Sequence, residues 1–166
     1  GLDVFKQWLF DHHEGSAIGG VGNFYAQYMN ASTQLPAGTP EAGKYVLTWF
    51  GSSPNHAMTI VGYNDSIRYD YNGDGQYTND IDINNDGEVD MKDWEIGGCK
   101  MAQRYGGVPG WGAQGFAYMM YKTVADDMGD GGIWNHRVHV LDVKEDCQPV
   151  LTMKVALEHN RRNTIK

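Results

Sequence analysis

Positive charge is scarce in this chain. Thirteen lysines and arginines stand against 21 aspartates and glutamates, a net charge of -8 at pH 7. A surface so biased repels polyanions, which argues against nucleic acid or an anionic membrane as a partner. Long apolar runs are missing as well: none approaches the roughly 18 residues a transmembrane helix needs, so no membrane span is expected. Cysteine is the third scarcity. Cys99 and Cys147 are the two present, and both lie in the second half, so the first half has no thiol to act as a nucleophile. What is present suffices for a globule: 41% of residues are hydrophobic and 12% aromatic, in 166 residues that can bury one ordinary core and a piece of a second.

The stretch Asn55-His56-Ala57-Met58-Thr59-Ile60-Val61-Gly62-Tyr63-Asn64 sets a titratable side chain at the opening of an apolar run. Residues 57–61, partly β-branched and bounded by Pro54-Asn55 and Gly62, predict a strand buried on both faces with His56 at its mouth. An imidazole on rigid backbone beside apolar walls can be tuned for acid–base work near neutral pH, or can activate a thiol. A satisfied core histidine is the alternative.

Around this strand, Leu2, Phe5, Leu9 and His12 fall on one face at helical spacing with Trp8 beside them, predicting a helix over 2–13. Residues 18–28 read as an apolar strand interrupted by glycines, and 35–43, with Pro36, Gly38, Pro40 and Gly43, as a loop. Residues 44–50 read as a further strand. A strand through Cys99 leads to Gln103, and another opens at Gly115-Phe116 after a glycine-rich turn. The composition then shifts at Asp126-Asp127-Met128-Gly129-Asp130-Gly131-Gly132, a linker by its residues. The division expected is a first unit over 1–125, a linker over 126–135, and the beginning of a β-rich domain over 136–166. In that last part, 138–143 and 151–157 alternate like strands, which either open a further domain or pack back on the first.

Much of the acidity lies in two copies of one pattern, Asp70-Tyr71-Asn72-Gly73-Asp74-Gly75 and, twelve residues on, Asp82-Ile83-Asn84-Asn85-Asp86-Gly87. Each follows the opening of an EF-hand-type calcium loop, in which alternate oxygens converge on a hard cation and a glycine permits the turn. The second copy is complete: Asp82, Asn84, Asp86, the carbonyl of Glu88, and Asp93 at position 12, with Asp for the usual Glu as in dockerin-like loops. The first offers Asp70, Asn72, Asp74 and Gln76 but has Ile81 at position 12, so it must borrow Asp80 or Asp82. The expected cofactor is structural Ca²⁺ ordering an insertion over 66–95, since the loop charges repel until a cation neutralises them. The alternative is a solvated acidic loop. No cysteine or histidine stands among these oxygens, which disfavours zinc.

The pieces around His56 resemble the papain-like cysteine peptidases. His56-Ala57 with Ile60-Val61-Gly62-Tyr63 fits that family's H-A-x-x-I-V-G-Y, and Trp111-Gly112-Ala113-Gln114-Gly115-Phe116 fits its W-G-x-x-G-F/Y. Between them Gln103-Arg104-Tyr105-Gly106 stands where the family has N-S-W-G. The resemblance covers residues 2–121. It implies an α+β fold, the β-rich half of a papain-like domain: an antiparallel sheet or barrel with one N-terminal helix. It implies His56 as general base, paired with a cysteine thiolate and oriented by an amide that Gln103 would supply one methylene further out. The family's cysteine precedes its histidine by roughly 130 residues, so that nucleophile is not in this chain. The expected function is accordingly part of a secreted or cell-surface cysteine endopeptidase, acting on a peptide or protein and completed by a cysteine-bearing N-terminal half. The chain alone is expected to be inactive. A non-catalytic, calcium-dependent binding module on the same fold is the alternative.

Overall fold

The spacing of Leu2, Phe5 and Leu9 yields a helix, α1 (Leu2–Asp11), whose buried Leu9 points into the core. In the computed structural model, which describes residues 1–11, 20–105 and 111–141, this helix lies against one mixed seven-stranded sheet, giving an α+β architecture. The strands are β1 (Gly22–Ala26), β2 (Thr33–Gln34), β3 (Tyr45–Leu47), β4 (His56–Arg68), β5 (Ile96–Ala102), β6 (Phe116–Met120) and β7 (His139–Val140), with a five-residue helix α2 (Tyr121–Ala125) after β6. Their order across the sheet is β2-β3-β6-β5-β4-β1-β7. Only β3 and β6 run parallel; every other neighbouring pair is antiparallel.

The strand opened by His56 differs from its sequence reading in two respects. Met58 and Ile60 are buried while Ala57 and Val61 are exposed, so the strand hides one face, not two. An antiparallel sheet leaves its outer face to water, and an apolar residue on that face is tolerated singly. The strand also runs on past Gly62 to Arg68, through a mostly polar stretch in which Ile67 is the one buried residue. Pairing with β5 holds it there, with register shifts between Ile60 and Gly62 and between Asn64 and Arg68.

Phe24 and Ala26 from β1, Met58 and Ile60 from β4, Cys99 and Met101 from β5 and Met119 from β6 form the core face, covered by Leu9, Leu47 and Phe50. A second, smaller cluster of Leu35, Val46, Ile67, Tyr118 and Met120, joined by Tyr69 and Tyr71, lies where the chain leaves β4. Lys6 of α1 binds Asp65 of β4 at 2.7 Å, and Asp65 also accepts from the Tyr121 hydroxyl, so helix, sheet and α2 meet at one carboxylate.

The stretch expected to be a linker is packed. Ile133 is fully buried, Asp126 nearly so, and the Phe50 N–H donates to the Gly131 carbonyl at 2.8 Å. A Cβ at Gly132 would lie 1.6 Å from the Asp126 carbonyl oxygen. Glycine serves close approach here, which composition alone does not distinguish from flexibility. Beyond it β7 pairs with β1, so the chain to residue 140 adds an edge strand to the same sheet. Residues 12–19, 106–110 and 142–166, with His12, Cys147 and the strand expected over 151–157, lie outside the described residues. Among the described residues no helix is long and apolar enough to cross a membrane.

Candidate functional site

His56 is the first residue of β4, paired with Ala26 of β1, and its neighbour Asn55 ties the two strands together. The Asn55 N–H donates to the Ala26 carbonyl at 3.2 Å, and its side-chain oxygen accepts from the Tyr28 N–H at 2.8 Å. Tyr28 is thereby held edge-on to the imidazole, with ring centroids 5.5 Å apart and an interplanar angle of 88°. On another side Tyr105 stacks on the same ring at 5.8 Å and 12°. The imidazole thus sits between two tyrosines, at the wall of an open cleft of about 570 Å³ lined by Tyr28, Asn55, His56, Arg104 and Tyr105.

Gln103 follows the last residue of β5, the strand beside β4. Its N–H donates to the Gly115 carbonyl at 2.9 Å, and its side-chain oxygen accepts from the Tyr105 N–H at 3.1 Å. The described residues on the two sides of 106–110 are bonded to each other. Trp111, buried, donates its indole N–H to the Met29 carbonyl at 2.7 Å and its main-chain N–H to the Tyr105 carbonyl. Gly112 sits at φ +56°, where a Cβ would lie 2.4 Å from the Phe116 carbonyl oxygen. Two buried nitrogens in this region have no hydrogen-bond partner among the described residues: Nε2 of His56 and Nε2 of Gln103. A buried polar atom left unpaired is uncommon and marks a place where a partner or a rearrangement is wanted.

Cys99 is separate from this cleft. It lies opposite Tyr63, seven residues along β4 from His56, which at strand rise is roughly 20 Å. It is fully buried, and burial pushes its thiol up to about 12. Its thiolate is therefore scarce near neutral pH.

The two acidic loops repeat each other in their hydrogen bonds as well as in sequence. Asp70 accepts from the N–H groups of Gly73 and Gly75; twelve residues on, Asp82 accepts from Asn85 and Gly87. Asn72 and Asn84 each accept from the N–H two residues ahead, as do Asp74 from Gln76 and Asp86 from Glu88. Asp93, fully buried, closes the second loop by accepting from Ile83 and Asn84 on one oxygen and Asp90 on the other.

Sequence spacing missed the residue that occupies this place in the first loop. Glu95, also fully buried, accepts from Tyr71 and Asn72 on one oxygen and Thr78 on the other, the counterparts by twelve of the three donors to Asp93. The carboxylate set beneath the first loop is thus Glu95 rather than Asp80 or Asp82. It arrives from beyond a nested loop, and no spacing rule within twelve residues could find it. Among the described residues no three His, Cys, Asp or Glu side chains come together as a metal-holding group. What each loop gathers instead is a mixed set of aspartate and asparagine side-chain oxygens.

No family model, no curated protein and no solved structure matches this chain.

Proposed function

We propose that this chain is the base-bearing half of a papain-like cysteine peptidase, with the nucleophilic thiol supplied from outside it. The observation that carries the reading is the His56 imidazole, fixed between Tyr28 and Tyr105 at the wall of an open cleft. In that role His56 takes the proton of the incoming thiol and later gives it to the leaving amine. Gln103 would support the base through its amide oxygen: an imidazole that takes a proton on one nitrogen carries an N–H on the other, and that N–H would donate to the Gln103 oxygen. Here that oxygen accepts from the Tyr105 N–H, while Nε2 of both side chains has no partner among the described residues. Secretion or display at the cell surface belongs to the same reading.

The test begins with the segment encoded ahead of Gly1. If a cysteine-bearing half is joined to this chain, a peptidyl epoxide should label that cysteine, and His56→Ala should lower kcat/KM for a peptide substrate by about 10⁴-fold. The 166-residue chain by itself should leave Cys99 unlabelled. Absence of a cysteine half, or a joined protein indifferent to His56→Ala, would overturn the peptidase reading. The second reading, a binding module without catalysis, is favoured by the buried Cys99 and by Gln103 and Arg104 standing where the family has Asn and Ser.

Calcium is the cofactor we propose for the insertion, held by Asp82, Asn84, Asp86, Glu88 and Asp93 in the second loop and by Asp70, Asn72, Asp74, Gln76 and Glu95 in the first. The ion would neutralise carboxylates that otherwise repel one another. Chelation should lower the melting temperature and raise proteolysis between residues 70 and 93, and Asp82→Ala should mimic it. Calorimetry showing no binding at millimolar calcium would leave the insertion a solvated acidic loop.

A further inference from the structure

The cleft beside His56 has a cationic wall. Arg104 lies over the Tyr105 ring, 4.4 Å from its centroid, and donates to the Tyr105 hydroxyl. Lys6, Lys92 and Lys122 each hold a carboxylate, Asp65, Asp127 and Asp126 in turn. Arg104 holds none among the described residues, although the chain carries eight more negative than positive charges. A guanidinium is a planar fork of donors that matches a carboxylate with two parallel hydrogen bonds. Stacking on a tyrosine leaves that fork usable and removes part of the side-chain entropy that binding would otherwise lose. The tyrosine is the one that stacks on His56, so the fork and the imidazole share one aromatic wall.

We infer that Arg104 is a specificity residue of this cleft and that it selects peptides presenting a carboxylate, either an acidic side chain or a free C-terminus. The inference rests on reading the His56 cleft as a peptide site. It adds to that reading a ligand class that the general base alone does not define.

The experiment uses the 166-residue chain, isotope-labelled, titrated with short peptides while the signals of His56 and Tyr105 are followed. Three peptides of one parent sequence separate the sources: an internal Glu with an amidated C-terminus, Gln in its place with the same amide, and Gln with a free C-terminal carboxylate. At least one carboxylate peptide should bind about fivefold more tightly than the Gln amide peptide. That preference should shrink with added salt, vanish in Arg104→Met and partly survive in Arg104→Lys. Arg104 is exposed, so these variants should melt as the parent does. If all three peptides bind alike, or if Arg104→Met keeps the preference, the inference fails while the peptide reading stands. If none shifts the His56 and Tyr105 signals, the peptide reading fails and the inference with it.

Discussion

Glu95→Ala should destabilise the chain by about 3 kcal/mol, a loss of roughly 6–12 °C in melting temperature for a chain of this size. The reason is local and countable. Both Glu95 oxygens lie out of contact with water and accept from main-chain donors, Tyr71 and Asn72 on one side and Thr78 on the other. Removing the carboxylate leaves those part-buried donors without that acceptor, and each orphaned group costs about 1–3 kcal/mol, less for the longer bonds here. Glu95→Gln keeps the volume and one acceptor and should lose about half as much. Glu88→Ala, at an exposed position, should stay within about 0.5 kcal/mol. Thermal melting gives the totals, and hydrogen exchange should accelerate first at Tyr71, Asn72 and Thr78. Equal melting temperatures for Glu95→Ala and Glu88→Ala would refute the assignment of Glu95 as the floor of the first loop.

Gly97→Ala should be of similar size for a different reason. Gly97 adopts φ +97°, in the region that side chains with a Cβ avoid, and a Cβ there would lie 2.5 Å from the Tyr121 ring. That ring cannot retreat freely, because its hydroxyl donates to Asp65 at 2.7 Å and Asp65 holds Lys6 of α1. Backbone strain of about 1–3 kcal/mol therefore adds to overpacking of about 1–3 kcal/mol. Gly38 is the control: at φ +79° it meets nothing within 4 Å, so Gly38→Ala isolates the strain alone. If the two variants lose equal stability by denaturant unfolding, the close approach of Tyr121 contributes nothing and the packing argument is wrong.

What could be read from sequence was local and periodic. The 3.6 spacing of Leu2, Phe5 and Leu9 specifies α1, and the glycine and proline positions of 35–43 specify its turns. The α+β class, which the family resemblance implies, is what the mixed sheet and its few helices show at that coarse level. What escaped was non-local. Residues 63–68 are mostly polar and, with Ile67 the one aliphatic among them, carry no alternating strand signal, yet β5 extends β4 through them by pairing. The glycines of 129–132 resemble a linker but allow backbone to lie against Trp49 and Asp126, a difference that exists only in three dimensions. At the cleft, the positions of His56, Gln103 and Trp111 could be singled out by motif, whereas the bracket of Tyr28 and Tyr105 around the ring could not. Tyr28 reaches it from the segment that follows β1, and nothing in its sequence neighbourhood announces that.

The insertion leaves and rejoins the sheet at one point. The Tyr69 N–H donates to the Glu95 carbonyl at 2.9 Å, and just below, Arg68 and Ile96 face each other across β4 and β5. In polymer terms residues 69–95 form a closed excursion whose ends are already paired by the hairpin they interrupt. Closing a loop of that length costs about 3 kcal/mol, and the cost grows only with the logarithm of the length. The hairpin beneath therefore meets a toll nearly indifferent to how many turns the excursion makes. A second acidic loop could be nested within the first without moving either strand from its register.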